Sequence, residues 1–82
     1  MTEEIKQIIS KNNGLLRENQ KQRVLQLLNG MKSIYKRQER ECLYSSTYCI
    51  VKHFIITSQN GQKTDVLFYI GINNNFVIIS FE

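Results

Sequence analysis

The stretch of sequence that decides the fold covers residues 47–81 and reads TYCIVKHFIITSQNGQKTDVLFYIGINNNFVIISF. β-Branched and aromatic side chains, which favour strands, dominate it. Two groups of turn-forming residues, Gln59-Asn60-Gly61 and Asn73-Asn74-Asn75, divide it into three runs. The pattern therefore predicts a three-stranded antiparallel meander, with strands over Thr47–Ser58, Lys63–Ile72 and Phe76–Phe81.

The two turns also predict which residues share a face of this sheet. A three-residue loop with Gly61 in the left-handed conformation puts the even-numbered residues of the first two strands on one face. A two-residue type I′ turn at Asn73-Asn74 adds the odd-numbered residues of the third strand to that face. We expect the helices to cover this face, which is formed by Ile50, Phe54, Ile56, Val66, Phe68, Ile70, Val77, Ile79 and Phe81.

The opposite face is predicted to be more apolar than a solvated face should be. An antiparallel sheet with one face in water normally alternates cleanly between apolar and polar residues, and this one does not. We therefore expect part of this face to contact protein. The candidate interface residues are Val51, His53, Ile55, Leu67, Tyr69 and Ile78. Tyr44, Tyr48 and Tyr69 are further candidates as interface anchors, because Tyr is enriched at interfaces.

Periodic apolar residues predict helices in the first half of the chain. Ile5, Ile8 and Ile9 predict a short helix over residues 3–12, which Asn13-Gly14 would end. Apolar spacings of three and four residues predict one long helix from Leu16 to Leu43, with a break at Gly30 as the alternative. The prediction is a single α+β domain over residues 1–82, in which a short helix and a long helix pack on the meander (ααβββ).

The net charge of +4 comes from the predicted helical half. Residues 1–43 contain nine Lys or Arg and five Glu, whereas the remaining residues are neutral overall. The long helix would carry four of these basic residues together, away from its apolar side: Lys32, Lys36, Arg37 and Arg40. Such a stripe can contact phosphates or an acidic partner protein. The ordinary alternative is the solvated back of an amphipathic helix.

Cysteine and histidine give little indication of chemistry. Cys42 and Cys49 are the only cysteines, and they are either a disulfide or, as we expect, free thiols. Metal sites need about four ligands, so these residues and His53 predict neither metal nor cofactor. His53 with Asp65 and Tyr69 could form an acid–base site, but no motif surrounds it, and we predict no catalytic residue.

No segment indicates export or membrane insertion. The chain shows no secretory pattern and no apolar run near the ~20 residues of a membrane span, so we expect a cytoplasmic protein. Ile, Asn and Lys make up 26 of 82 residues while Ala, Pro and Trp are absent. This bias towards AT-rich codons indicates a low-GC bacterium, its phages or plasmids, or a large DNA virus.

These observations favour a small non-enzymatic regulator or inhibitor that docks on a protein partner, and the codon bias is compatible with a phage or plasmid gene. A homodimer is expected, because a chain this short buries only about 60% of its unfolded surface. The alternative is a nucleic-acid-binding protein that uses the basic helix.

A second alternative comes from the layout alone. Two helices followed by a three-stranded antiparallel sheet in a small basic protein resemble the ribosome-dependent RNase toxins of toxin–antitoxin systems. That family begins with a strand, which this chain lacks. The resemblance implies an RNase and assigns no residue a role.

Overall fold

In a computed structural model that describes residues 1–82, two helices precede five antiparallel strands. Helix α1 covers Thr2–Lys11, a 3-10 turn covers Asn13–Leu15, and helix α2 covers Glu18–Asn29. The strands are β1 (Met31–Lys36), β2 (Arg40–Tyr44), β3 (Thr47–Ser58), β4 (Lys63–Gly71) and β5 (Val77–Phe81). The α+β class is confirmed. The ααβββ arrangement is wrong, because the sheet has two more strands than predicted.

The long helix from Leu16 to Leu43 is also wrong. The alternative correctly placed an interruption at Gly30, but the residues after it are not helical. Helix α2 ends at Asn29, and the Gly30 N–H closes it by donating to the Gln26 carbonyl. The residues beyond it form β1 and β2. A Gly interrupts a helix at a cost of roughly 1 kcal/mol. After this interruption the 12-residue β3 offers an edge to pair with, and that pairing overrides the helical spacing.

Strand β3 is the centre of the sheet. The strand order is β1-β3-β4-β5, and β2 also pairs with β3, so β1 and β2 lie end to end along one edge of it. Lys36 pairs with Phe54 and Arg40 pairs with Val51, so four steps along the edge match three steps along β3. The extra residue forms a bulge at residues 37–39, where the Arg37 N–H donates to the His53 carbonyl at 2.9 Å.

The predicted registers of the two hairpins are confirmed. Phe54 pairs with Val66, and the loop that joins β3 to β4 holds Gly61 at a φ of 88°. Ile70 pairs with Val77, as the second predicted turn requires. The type I′ turn itself is wrong, because only Asn74 has a positive φ (58°), whereas a type I′ turn needs two such residues.

The core lies between the two helices and the predicted apolar face of the sheet. Helix α1 contributes isoleucines on one side only, which agrees with its predicted period, and α2 contributes Val24 and Leu28. Phe54 and Phe68 meet edge to face at its centre, with ring centroids 5.9 Å apart. The buried members are Ile5, Ile8, Ile9, Val24, Leu28, Phe54, Ile56, Val66, Phe68, Val77 and Ile79.

We predict that Gly61→Ala destabilises the fold by about 1 kcal/mol, because an added Cβ disfavours the left-handed backbone that sets the β3–β4 register. Gly14→Ala is the matched control, since neither position has an atom within 4 Å of the added Cβ and only Gly61 has a positive φ. Urea unfolding of both variants measures the difference. Equal stability of the two variants would contradict the register argument.

Candidate functional site

The four basic residues predicted to lie on one helix occupy the edge of the sheet instead. Lys32 and Lys36 belong to β1, Arg37 to the bulge and Arg40 to β2. The helical stripe was wrong because these residues are not helical. Three of them, all except Lys36, are exposed and form no ion pair.

Lys36 belongs to a cluster of four charges that attaches α1 to the sheet. Its Nζ lies 2.7 Å from Glu4 Oε2 on α1 and 2.8 Å from Glu39 Oε2 in the bulge. Lys52 of β3 lies 3.2 Å from the same Glu4 oxygen and 3.6 Å from the Glu39 oxygen. Without the extra residue of the bulge, Glu39 would lie on the opposite face from Lys36.

The contacts within the cluster change the pKa values of three of its members. The hydrogen bond from Lys36 lowers the pKa of the Glu4 and Glu39 carboxyls, despite an opposing effect of burial. Hydrogen bonds to Glu39 and Glu4 raise the pKa of Lys36 in turn. All three groups are therefore charged over a wide range around neutral pH, and the cluster contributes to stability there.

The face predicted as an interface is partly closed within the chain. Its six candidate residues share one side of the sheet, but Val51 and Leu67 are fully buried. The Tyr44 ring lies 5.8 Å from that of Tyr69 and 6.0 Å from that of Phe76. Much of this face is a second, smaller apolar cluster, so its two buried members cannot contact a partner.

His53 lies beside Asp65, as the predicted register requires, but is not hydrogen-bonded to it. Its side chain is only 13% exposed, and Nε2 lies 3.4 Å from Asp65 Oδ1 without forming a hydrogen bond. None of the pockets that we describe below includes His53, Asp65 or Tyr69 among its lining residues.

A partly open apolar surface lies on the other side of the sheet, at and beyond the end of α1. There, Leu43 pairs with Tyr48, Ile50 pairs with Ile70, and the Ile72 N–H donates to the Tyr48 carbonyl. Leu43, Tyr48 and Ile72 are 62%, 66% and 58% exposed. We call these five residues the docking shelf.

A groove of about 480 Å³ leads from the docking shelf under α1. Its apolar residues are Ile8 from α1 and three residues of the shelf. The other residues that line it are Glu4, Gln7, Ser10, Lys11, Asn12, Lys52, Gly71 and Asn74, so part of the charge cluster borders the groove. Glu41 lies on the same face at the opposite edge, since it pairs with Ile50. A second, smaller pocket of about 340 Å³ is lined by Leu15, Arg17, Gln20, Tyr44, Val77 and Ile78.

The docking shelf was not predicted from the sequence as an open surface. Leu43 was assigned to the end of a helix, and Ile50 and Ile70 were assigned to the covered face. The available signal was length, because a helix ending at Asn13-Gly14 cannot cover a strand of 12 residues. Only Tyr48 was a candidate anchor, and its exposure is compatible with that role.

The two cysteines lie side by side near the docking shelf but point to the opposite face. Cys42 pairs with Cys49 across β2 and β3, and both are free thiols whose sulfurs lie 2.8 Å apart. Burial raises the pKa of Cys49 to about 11, with a further contribution from the hydrogen bond to Cys42.

The structure contains no group of three or more His, Cys, Asp or Glu side chains arranged to hold a metal ion. None of its helices combines the length and the apolar character needed to cross a membrane.

Neither the family models, nor the curated proteins, nor the solved structures compared with this chain give a match. The RNase toxin resemblance loses its basis, because it rested on a layout with three strands.

We predict that Lys36→Gln lowers the free energy of unfolding by about 1 kcal/mol at pH 7, within the range of partly exposed ion pairs. Because the folded state lowers the carboxyl pKa values, this contribution is present above about pH 4.5 and disappears as acid protonates Glu4 and Glu39. Urea unfolding from pH 7 to pH 3 should show the gap between wild type and variant closing. A gap that is constant with pH, or an equal loss in the control Lys63→Gln, would contradict this account.

Proposed function

We propose that this chain is a non-enzymatic protein-binding module that acts as a regulator or inhibitor, and that it binds protein through the docking shelf. The occupant we propose is a second copy of the chain, so that the working form is a homodimer. The observation that carries the proposal is the exposure of Leu43, Tyr48 and Ile72 side by side on one face. Contiguous exposed apolar side chains of this kind mark interaction sites.

The composition of the docking shelf supports a protein occupant. Its residues are one aromatic and four aliphatic side chains, and aromatic residues in the core of a patch supply most of the binding energy at interfaces. The groove surrounds its apolar residues with amide and hydroxyl groups and with the charged side chains of Glu4, Lys11 and Lys52. This arrangement of apolar centre and polar rim is the usual anatomy of a protein interface.

The charges around the docking shelf support a second copy as the occupant. Lys11 lines the groove on the α1 side, and Glu41 lies at the β2 edge, with the shelf between them. Neither residue forms an ion pair within the chain. In a dimer of face-to-face shelves, this cation and this anion offer complementary charges to the other copy. A two-fold interface needs such self-complementarity.

The small core gives a thermodynamic reason for association. Only 16 of 82 residues are buried, and domains of this size often gain stability from oligomerisation. Each Å² of apolar surface that the docking shelf buries in a dimer contributes about 25 cal/mol of favourable free energy. Dimerisation therefore adds an apolar contact that the folded chain does not form by itself.

We predict that Tyr48→Asp weakens dimerisation about 30-fold or more, because a buried aromatic anchor at an interface contributes about 2 kcal/mol or more. Sedimentation velocity over a concentration series measures the dimer dissociation constant. Tyr35→Asp is the matched control, since Tyr35 is 62% exposed but lies on the opposite face of the sheet. It should leave the dimer intact.

A charge exchange tests the proposed complementarity of Lys11 and Glu41 separately. Lys11→Glu and Glu41→Lys should each weaken the dimer, and the double variant should restore most of the loss. A wild-type chain that stays monomeric at every concentration would contradict the homodimer, as would equal effects of Tyr48→Asp and Tyr35→Asp. Binding of a different protein at the shelf of a monomeric chain would contradict the choice of occupant.

Nucleic-acid binding remains a second candidate because three cations lie unpaired along one edge. Lys32, Arg37 and Arg40 are exposed on the β1–β2 edge. Charged side chains on an edge strand also prevent unwanted strand pairing, which accounts for them without a ligand. If they bind phosphates, changing all three to Glu should abolish the salt-dependent retention on DNA that the wild type would show. Absence of wild-type retention at low salt would exclude this function.

A further inference from the structure

We propose that Cys42 and Cys49 form a thiol–disulfide exchange site, at which a small disulfide such as oxidised glutathione converts the two thiols into a disulfide that clamps β2 to β3. The observation behind the proposal is the pairing of the two cysteines directly across adjacent antiparallel strands, with a sulfur–sulfur separation of 2.8 Å. The proposal does not depend on the docking shelf or on dimerisation.

The backbone geometry permits the bond without rearrangement. Residues directly opposite each other in an antiparallel pair have Cα atoms about 4.5–5.5 Å apart. Disulfides span Cα separations of about 4.4–6.8 Å, so the pairing of Cys42 with Cys49 lies within that window. The sulfurs lie 2.8 Å apart, so a small approach of the two side chains brings them to the ~2.05 Å of a disulfide bond.

The two cysteines differ in a way that sets the order of the reaction. Cys42 is partly exposed on an edge strand, whereas Cys49 is fully buried. Burial and the contact with Cys42 also raise the pKa of Cys49, which disfavours its thiolate at neutral pH. A small disulfide therefore reacts with Cys42 first, and Cys49 completes the exchange from within.

The exchange balances as two displacements. The Cys42 thiolate, its proton lost to water, attacks one sulfur of oxidised glutathione, forming a mixed disulfide and releasing one glutathione thiolate. Cys49 then loses its proton and attacks the Cys42 sulfur, forming the protein disulfide and releasing the second glutathione thiolate. The protein loses two electrons and two protons, and the glutathione disulfide is reduced to two thiols.

The consequence is a change in the strength of the β2 edge. Strand β2 has β3 as its only neighbour, so it is held by one ladder of hydrogen bonds. A disulfide from the middle of β2 closes a short ring through the hairpin at residues 45–46 and restricts the opened state of that hairpin. The amides of β2 exchange when the strand opens. They should therefore exchange more slowly in the oxidised chain, by a factor of up to about ten.

The experiment treats the folded wild-type chain with oxidised glutathione, quenches with acid, and alkylates under denaturing conditions before intact-mass analysis. We expect a product that has lost two hydrogen atoms, carries no glutathione and takes up no alkylating reagent. Hydrogen exchange on the same product should show slower exchange at residues 41–44 than in the reduced chain. Exchange in α1 should change less.

Two single variants separate the steps. Cys49→Ser should stop at the mixed disulfide, leaving glutathione on Cys42, because no second thiol is present to displace it. Cys42→Ser should remain unmodified while folded, because the remaining thiol is buried. It also keeps the test valid if Cys49→Ser does not fold.

Three results would overturn the proposal. They are two free thiols in the wild type after prolonged treatment, a stable glutathione adduct or a disulfide-linked dimer as the main wild-type product, and unchanged exchange at β2 in the oxidised chain. The first two are read without any binding assay. A failure of the homodimer proposal is therefore distinguishable from a failure of this one.

Discussion

The structure depends on the length of β3 relative to the helices that cover it. Strand β3 has 12 residues and spans about 40 Å at 3.3 Å per residue. Helix α1 has 10 residues and spans about 15 Å at 1.5 Å per residue, and α2 is only two residues longer. Two helices of this length cover one part of the sheet. The 38 Å long axis of the molecule follows from the same strand.

The position of the charge cluster decides which part is covered. Glu4 near the start of α1 is held by Lys36 and Lys52, which lie on the sheet beside the bulge. From there α1 packs its isoleucines on the sheet and ends at Lys11. The β2–β3 hairpin extends beyond that contact, so its apolar residues on the helix side stay open. The docking shelf is thus a consequence of a long strand, a short helix and one electrostatic attachment point.

The same mismatch explains why each face of the sheet departs in part from the role expected from sequence. On the face without helices, Tyr44 approaches Tyr69 and Phe76, and Val51 is fully buried. On the face with helices, Tyr48 remains two-thirds exposed. Apolar composition indicated both faces correctly. It could not indicate which of them the chain itself would close, because that depends on where helices end and strands curve.

The meander from Thr47 to Phe81 could be predicted in detail because its signals are local. Gly61 and the Asn turn fixed the registers, and alternation then fixed the faces, down to single residues. The segment from Met31 to Tyr44 could not be predicted in this way. Its apolar spacing suits a helix, and its strand state depends on pairing with a strand that lies up to 27 residues further along the chain, as Met31 with Ser58.

The placement of the candidate site residues between Lys32 and Leu43 could not be predicted for the same reason. Leu43 enters the docking shelf only because β2 is a strand, and Cys42 meets Cys49 only through the β2–β3 register. The basic residues were likewise predicted on one face of a helix, whereas they lie along the edge of the sheet. By contrast, the isoleucines of α1 were assigned correctly, because a short amphipathic helix against a sheet is specified by its own period.

The most direct test of this account is a mixed sample of isotope-labelled and unlabelled chains, examined for contacts between copies by isotope-filtered nuclear Overhauser measurements. We predict contacts between copies among the side chains of Leu43, Tyr48 and Ile72. Contacts between copies that involve Tyr35 or Ile55 instead, or no such contacts at concentrations where the chain is dimeric, would contradict the claim that the uncovered end of β3 is the binding surface.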